Sequence, residues 1–326
     1  MGASIMFVRV SENCNGGCFM CHYAHKNDSY NITKEQFEKL LENMKKEGTY
    51  KMVRFTGGEP LLNKDLPYFI RRCTEEGYVT SIITNGFLLP YVGEKIADAG
   101  LKQVIISIDG SKNEYNDELR GLKNSVDHIK QGIEVLKSRN KDINIRANTV
   151  ASAKNIDDLL DIYMFLNELD FDCWSIIPIR GTSAPWKEEE IEHYKDVYKK
   201  FIEMQKTIKK PELLGYSPMW AGQTEEKVTE TFMNNFRIVP SDKCYHVDNI
   251  RFYIPDKELL VPCNCAAHRI QQIETEYSKV QDINEKANIM ADWLREYGPT
   301  HCTGCEPLNA YMADNPKELQ KSLFKF

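Results

Sequence analysis

The chain has 326 residues, a formal net charge of −6 and 42% hydrophobic residues, enough for one large domain with a sizeable core and something smaller attached. The acidic balance and the lack of a contiguous basic stripe disfavour a nucleic-acid backbone as partner. Apolar runs such as VIISI (104–108) are far too short to cross a bilayer. No basic segment precedes the first apolar run, GASIMFVRV, so the expectation is a cytoplasmic protein with no signal peptide and no membrane anchor. In that reducing setting ten cysteines point to metal ligation more than to crosslinks.

In chain order, β-branched runs recur at 4–10, 52–57, 80–86, 103–110, 143–150 and 173–179. Between them, apolar residues three and four apart predict helices over 33–48, 66–77, 91–100, 126–139 and 155–170, several with a glycine just past the end. Strands alternating with helices imply parallel βαβ units and an α/β fold. Ligand-binding residues of such sheets gather at the carboxyl ends of the strands. There the sequence carries a cysteine triplet after the first strand, TGGEP after the second, TNG after the third, SIDG after the fourth, NTV at the fifth and PIRG after the sixth. Past residue 181 the pattern changes to a charged amphipathic helix over 185–210, a turn-rich stretch, and a helix near 224–236. A β-hairpin follows, IRFYI and LLVPC around a turn at PDKE, and then a mostly helical end with CTGC at 302–305.

The triplet in SENCNGGCFMCHYAHK is Cys14, Cys18 and Cys21, spaced C-x3-C-x2-C. Three chemistries compete for it. Disulfides suit an oxidising compartment. A structural zinc site needs four ligands, and His22 or His25 could supply the fourth. An iron–sulfur cube held by three thiolates leaves one iron open for chemistry. One strand later, the paired glycines of FTGGEPLL let a ligand approach the backbone closely, and Glu59 can accept from an ammonium group.

The triplet together with Gly57, Gly58, Glu59 and Pro60 resembles the signature of the radical S-adenosylmethionine (SAM) enzymes. The resemblance implies a partial (β/α)6 TIM-like barrel, with a core over 4–181, a helical linker over 182–240 and a small C-terminal domain over 241–326. It implies a [4Fe–4S] cluster on Cys14, Cys18 and Cys21 whose open iron binds the amino and carboxyl groups of SAM. An electron from the cluster then cleaves SAM to methionine and a 5′-deoxyadenosyl radical, which abstracts hydrogen from substrate; cluster potentials reach roughly −700 mV. Met20 takes the place of the residue that lies against adenine, usually aromatic. Thr84, Asn85, Ser107, Asp109 and Asn148 occupy strand-end positions that contact SAM in the family, and Arg120 in YNDELRG matches an arginine that pairs with the SAM carboxylate.

Cys244, Cys263, Cys302 and Cys305 would close a second site completely, as four-thiolate zinc or a second [4Fe–4S] cluster. The resemblance favours iron in a twitch-type, shortened SPASM domain, similar to that of 2-deoxy-scyllo-inosamine dehydrogenase and neomycin-type epimerases. A longer SPASM pattern would need a cysteine where Tyr311 stands. Cys265 is then surplus: a buried small hydrophobe, an alternative ligand, or a hydrogen-atom donor to a substrate radical. Cys73 and Cys173 read as structural. The expected reaction is epimerisation, with Cys265 as donor, or two-electron alcohol oxidation. Entry into the first strand without a preceding leader-binding domain favours a small polar substrate: a sugar, aminocyclitol, aminoglycoside or nucleoside. A peptide-modifying maturase is the alternative, and a non-catalytic zinc-binding module a more distant one. The expected electron donor is a flavodoxin or ferredoxin.

Overall fold

The computed structural model describes residues 4–21, 30–179, 185–214, 225–233, 247, 249–262 and 279–301. Its framework is one nine-stranded sheet, and the first six strands are Ile5–Ser11 (β1), Met52–Gly57 (β2), Val79–Thr84 (β3), Gln103–Ser107 (β4), Asn144–Ala151 (β5) and Cys173–Pro178 (β6). These pair in sequence order and in parallel. The connecting helices are Lys34–Glu47 (α1), Leu66–Glu75 (α2), Leu89–Asp98 (α3), Asn113–Arg120 (α4), Ser125–Arg139 (α5) and Leu159–Glu168 (α6). The result is an α/β fold with a mostly parallel sheet.

Three further strands extend the sheet. Glu212–Leu214 (β7) adds to β6 in parallel after helix Glu188–Met204 (α7). After helix Glu225–Met233 (α8), Ile250–Ile254 (β8) pairs in parallel with β1, and Leu259–Val261 (β9) closes the expected hairpin on it. The hairpin thus continues the barrel sheet itself. The last described helix is Ile283–His301 (α9); Met290, Ala291 and Leu294 on it pack against Ile254, Leu259 and Val261 of the hairpin. No described helix is long and apolar enough to cross a membrane.

Local chemistry explains the elements. Helix α1 starts at Thr33, whose side chain accepts from the Gln36 N–H while the Gln36 side chain accepts from the Thr33 N–H, a reciprocal cap that satisfies two orphan donors. It ends at Gly48 in the left-handed conformation. Its Phe37, Leu40, Leu41 and Met44 are buried under the sheet.

Alternation along the strands then separates two faces. Met6, Val8, Val53, Phe55, Ile82, Val104, Ile106, Ile145, Trp174 and Ile176 join the core under the helices. The opposite, concave face carries many of the strands' buried polar side chains alongside Ile5, Met52 and Ile105. Arg54 donates to Ser81 Oγ (3.2 Å) and Gln103 Oε1 (3.0 Å), and Gln103 donates to Asn144 (2.9 Å), so neighbouring strands are stitched at the amino end. The Arg54 guanidinium also lies 5.4 Å from the Phe7 ring centroid, and Phe7 stacks on Phe252 of β8. Buried polar groups are stabilising only when satisfied. This bonded floor leaves the carboxyl end of the barrel as the place for a ligand.

Candidate active site

The cysteine loop leaves β1 at Ser11 and is held from three directions. From β2, the Gly58 N–H donates to Ser11 O (2.7 Å) and the Glu59 N–H to Asn13 O (2.7 Å). The approach is close enough that a Cβ on Gly57 would sit 2.0 Å from Ser11 O, and one on Gly58 2.2 Å from Asn13 O. Only glycine fits either position. From β3, Asn85 Nδ2 donates to Asn15 Oδ1 (2.8 Å). From α4, Arg120 O accepts from the Gly17 N–H (2.8 Å), and Gly121, at φ 60°, packs its backbone directly on Gly17. The GGEP and TNG motifs and the α4 terminus therefore all converge on one loop.

Its three cysteines are free thiols; Cys18 is buried, Cys14 and Cys21 half-buried. Burial pushes the Cys14 thiol up to about 11, against the Gly16 N–H that points at its sulfur from 3.4 Å. Burial also raises Cys18, opposed by the Arg120 guanidinium, whose Nη1 lies 3.8 Å from the sulfur. Buried thiols so disfavoured as anions, with backbone N–H and guanidinium groups directed at sulfur, suit a bound cation that takes the proton's place. Among the described residues no group of three or more His, Cys, Asp or Glu is arranged to hold a single metal ion. The donor set fits a larger group spread over three thiolates, with one position left to another ligand.

Arg120 and Asp109 form the second feature. Asp109 is fully buried at the end of β4, its Oδ2 2.6 Å from Arg120 Nε and its Oδ1 accepting from the Val150 N–H (2.7 Å). Burial opposes the Arg120 charge, but Asp109 and Cys18 more than offset it and raise its pKa. The loop around Asp109 is fixed by Asn116, which accepts from the Asp109 and Gly110 N–H groups, and by Asn155, which donates to Asp109 O.

Glu59 is the third. It is 1% exposed, and three donors occupy its carboxylate: the Leu61 N–H (3.0 Å), Thr84 Oγ1 (2.7 Å) and the Asn85 N–H (2.8 Å). Burial raises its pKa to about 7 despite these bonds. Its side chain is thus a clip between the ends of β2 and β3, with one acceptor position left over. Pro60 starts the short 3-10 turn that supplies the Leu61 donor.

Ser107 and Asn148 lie side by side in register at the ends of β4 and β5. Met20 is half-buried and packs against the main core. Cys244, Cys263, Cys265, Cys302 and Cys305 lie outside the described residues, as do His22 and His25. Cys73 is fully buried in the core, whereas Cys173 is buried on the concave face, in register with Arg146. The sequence reading missed Asn15, Asn116 and Asn155 as positioning residues. Their signal is modest: asparagines at strand ends and turns, where the side chain can substitute for a backbone partner.

Residues 8–166 match the family model of the Radical SAM superfamily. The matched segment, a little under half of the chain, carries β1 to β5 and most of the strand-end loops just described. Among individual proteins, the AdoMet-dependent heme synthase of Methanosarcina barkeri (strain Fusaro / DSM 804) is 27% identical over 205 residues, covering 61% of this chain and 58% of its own. The S-adenosylmethionine-dependent nucleotide dehydratase of Selenomonas ruminantium is 29% identical over 182 residues, covering 53% and 65% respectively. The chain thus spans a little under two thirds of the length of these curated relatives. Among solved structures, native anSMEcpe with bound AdoMet and Cp18Cys peptide superposes with a TM-score of 0.62 at 17% identity, covering 99% of this chain and 97% of that one. At that identity the likeness is one of fold.

Proposed function

We propose that the protein is a radical SAM enzyme that binds a [4Fe–4S] cluster through Cys14, Cys18 and Cys21 and uses SAM to abstract hydrogen from a small polar substrate. The carrying observation is the pinning of the three-thiol loop by the GGEP and TNG strand ends and the end of α4. The bound cluster supplies the electron that cleaves SAM and so generates the hydrogen-abstracting radical. Arg120 keeps positive charge beside Cys18, where thiolate charge accumulates. Its Nη2 is the remaining donor for the SAM carboxylate, because Nε and Nη1 face Asp109 and Cys18. The backbone of Gly57 and Gly58 and the spare acceptor position of Glu59 suit the SAM amino group, while Ser107 and Asn148 suit its ribose hydroxyls. Thr84, Asn85 and Asp109 act by holding these groups in place.

Further along the chain, Cys244, Cys263, Cys302 and Cys305 are assigned to one auxiliary [4Fe–4S] cluster in a twitch-type domain. A flavodoxin or ferredoxin supplies the electron. The product would be an epimer if Cys265 returned a hydrogen atom, or a ketone if the substrate underwent two-electron oxidation, for which an auxiliary cluster held by Cys244, Cys263, Cys302 and Cys305 would supply the electron acceptor. A second reading, peptide modification, is supported by the full-length fold likeness to a structure with a bound peptide. Anaerobically reconstituted protein incubated with candidate sugars, nucleosides and peptides separates these by mass. Loss of two mass units marks oxidation, a mass unchanged in ordinary water but raised by one deuterium in deuterated solvent marks epimerisation, and a modified peptide marks the second reading. Protein that carries zinc and no iron would end the enzyme assignment.

A further inference from the structure

The cysteine loop carries a further contact that the account above does not use. Phe19, between Cys18 and Cys21, is half-buried and packs against the main core. Over its ring lies Lys154, with Nζ 4.9 Å from the centroid, and the same Nζ is 3.5 Å from Glu118 Oε1 of α4. A cation over an aromatic face is held there electrostatically, and its methylene stem covers the ring.

The turn that carries Lys154 is braced. The Lys154 N–H donates to Ser152 Oγ (3.3 Å), and Asn155 Oδ1 accepts from the Ser152 N–H (2.8 Å). Asn155 Nδ2 donates to Val150 O and to Asp109 O, each at 3.0 Å. The asparagine that holds the Asp109 loop thus also holds the turn of Lys154. Two ion pairs therefore flank the cysteine loop, each with one end on α4. Asp109–Arg120 is buried beside Cys18, and Lys154–Glu118 lies beside Phe19 with side chains 53% and 70% exposed.

The exposed pair can be altered one charge at a time without stranding a buried ion. A cluster on three thiolates gains a negative charge when it is reduced, and its potential follows the charge and solvent around it. A cation at the loop favours the reduced state, and a carboxylate there favours the oxidised one. We propose that Lys154 and Glu118 tune the reduction potential of the cluster from outside the loop, Lys154 easing the one-electron reduction that precedes SAM cleavage and Glu118 opposing it. This rests on the SAM-enzyme reading and assigns the electron-accepting step two residues that touch neither SAM nor substrate.

The test is a redox titration of anaerobically reconstituted protein, following the SAM-sensitive paramagnetic signal, with iron loading measured alongside. The variants are Lys154→Met, Lys154→Arg and Glu118→Gln. At the wild-type midpoint, Lys154→Met should lower the ratio of reduced to oxidised cluster about threefold, the scale of an exposed charge pair, or roughly 28 mV at 59 mV per tenfold for one electron. Glu118→Gln should raise that ratio by a similar factor. Lys154→Arg should keep the wild-type potential, since a guanidinium also sits over aromatic rings, and all three variants should load iron as the wild type does. Either neutral substitution breaks the pair, so a merely mechanical clasp would shift both variants in the same direction, and that result would overturn the proposal. Unchanged potentials, a Lys154→Arg variant that behaves like Lys154→Met, or lost iron loading would overturn it as well. If the wild type gives no SAM-sensitive signal, the underlying reading has failed instead, before any variant is compared.

Discussion

Asp109→Asn is the substitution that most directly probes how the site is braced. The asparagine keeps Oδ1 as acceptor for the Val150 N–H, so what is lost is the charge and the acceptor facing Arg120 Nε, where the amide now turns a donor. Asp109 is fully buried, and the Arg120 side chain is 11% exposed, so little solvent screens the 2.6 Å ion pair. Removing one partner of a buried pair strands the other charge, at a cost of about 3–5 kcal/mol. The accompanying effect is on the cysteine loop, because Arg120 O holds the Gly17 N–H and its guanidinium faces Cys18. Urea unfolding of cluster-free protein, followed by tryptophan fluorescence, should show the loss in full. A double variant with Arg120→Met should recover part of it, since the stranded charge is then gone. A destabilisation below about 1 kcal/mol, the range of an exposed pair, or strict additivity in the double variant, would refute the argument.

The remaining predictions concern neighbouring parts of the same brace. Burial raises the Glu59 carboxyl to about 7, so its contribution to stability is present at acid pH and is lost as pH rises toward and through 7. Glu59→Gln should flatten that part of the stability–pH curve, measured as unfolding midpoint between pH 5 and 8 in parallel with wild type; an identical slope in both would contradict the assignment. Gly57→Ala meets Ser11 O at 2.0 Å, at a φ of 142°, and should lower both soluble yield and iron loading after reconstitution. Gly77→Ala is the control: it shares a positive φ but has no atom within 4 Å of the added Cβ, so it should retain iron loading with only a modest loss of stability.

Much of this architecture was legible in the sequence, because long β-branched runs and helical periodicity both report burial on one side. The six barrel strands follow the pattern, with ends shifted by at most three residues. Helix α4 escaped it because NEYNDELR buries only Asn116, Leu119 and Arg120, two of them polar, so no apolar stripe marks it. Strand β7 escaped it because three residues of a Pro-flanked segment give no period to count. The predicted helix over 155–170 begins only at Leu159, since Asn155 is spent on Ser152, Val150 and Asp109 instead of on helical turns. For the site, cysteine spacing and paired glycines announced the loop. That Glu59 clips two strand ends, and that Arg120 turns to Asp109 and Cys18, depends on distances no spacing rule carries.

The central claim is that the loop of Cys14, Cys18 and Cys21 holds a cluster with one iron open to SAM. It is tested most directly by electron paramagnetic resonance of the dithionite-reduced protein, with and without SAM, alongside chromatography of 5′-deoxyadenosine. Wild type should show a [4Fe–4S] signal that SAM perturbs and should form 5′-deoxyadenosine. The variant with all three cysteines replaced by alanine should lose both the SAM-sensitive signal and the product. A SAM-sensitive signal and 5′-deoxyadenosine that survive the triple substitution would contradict the account.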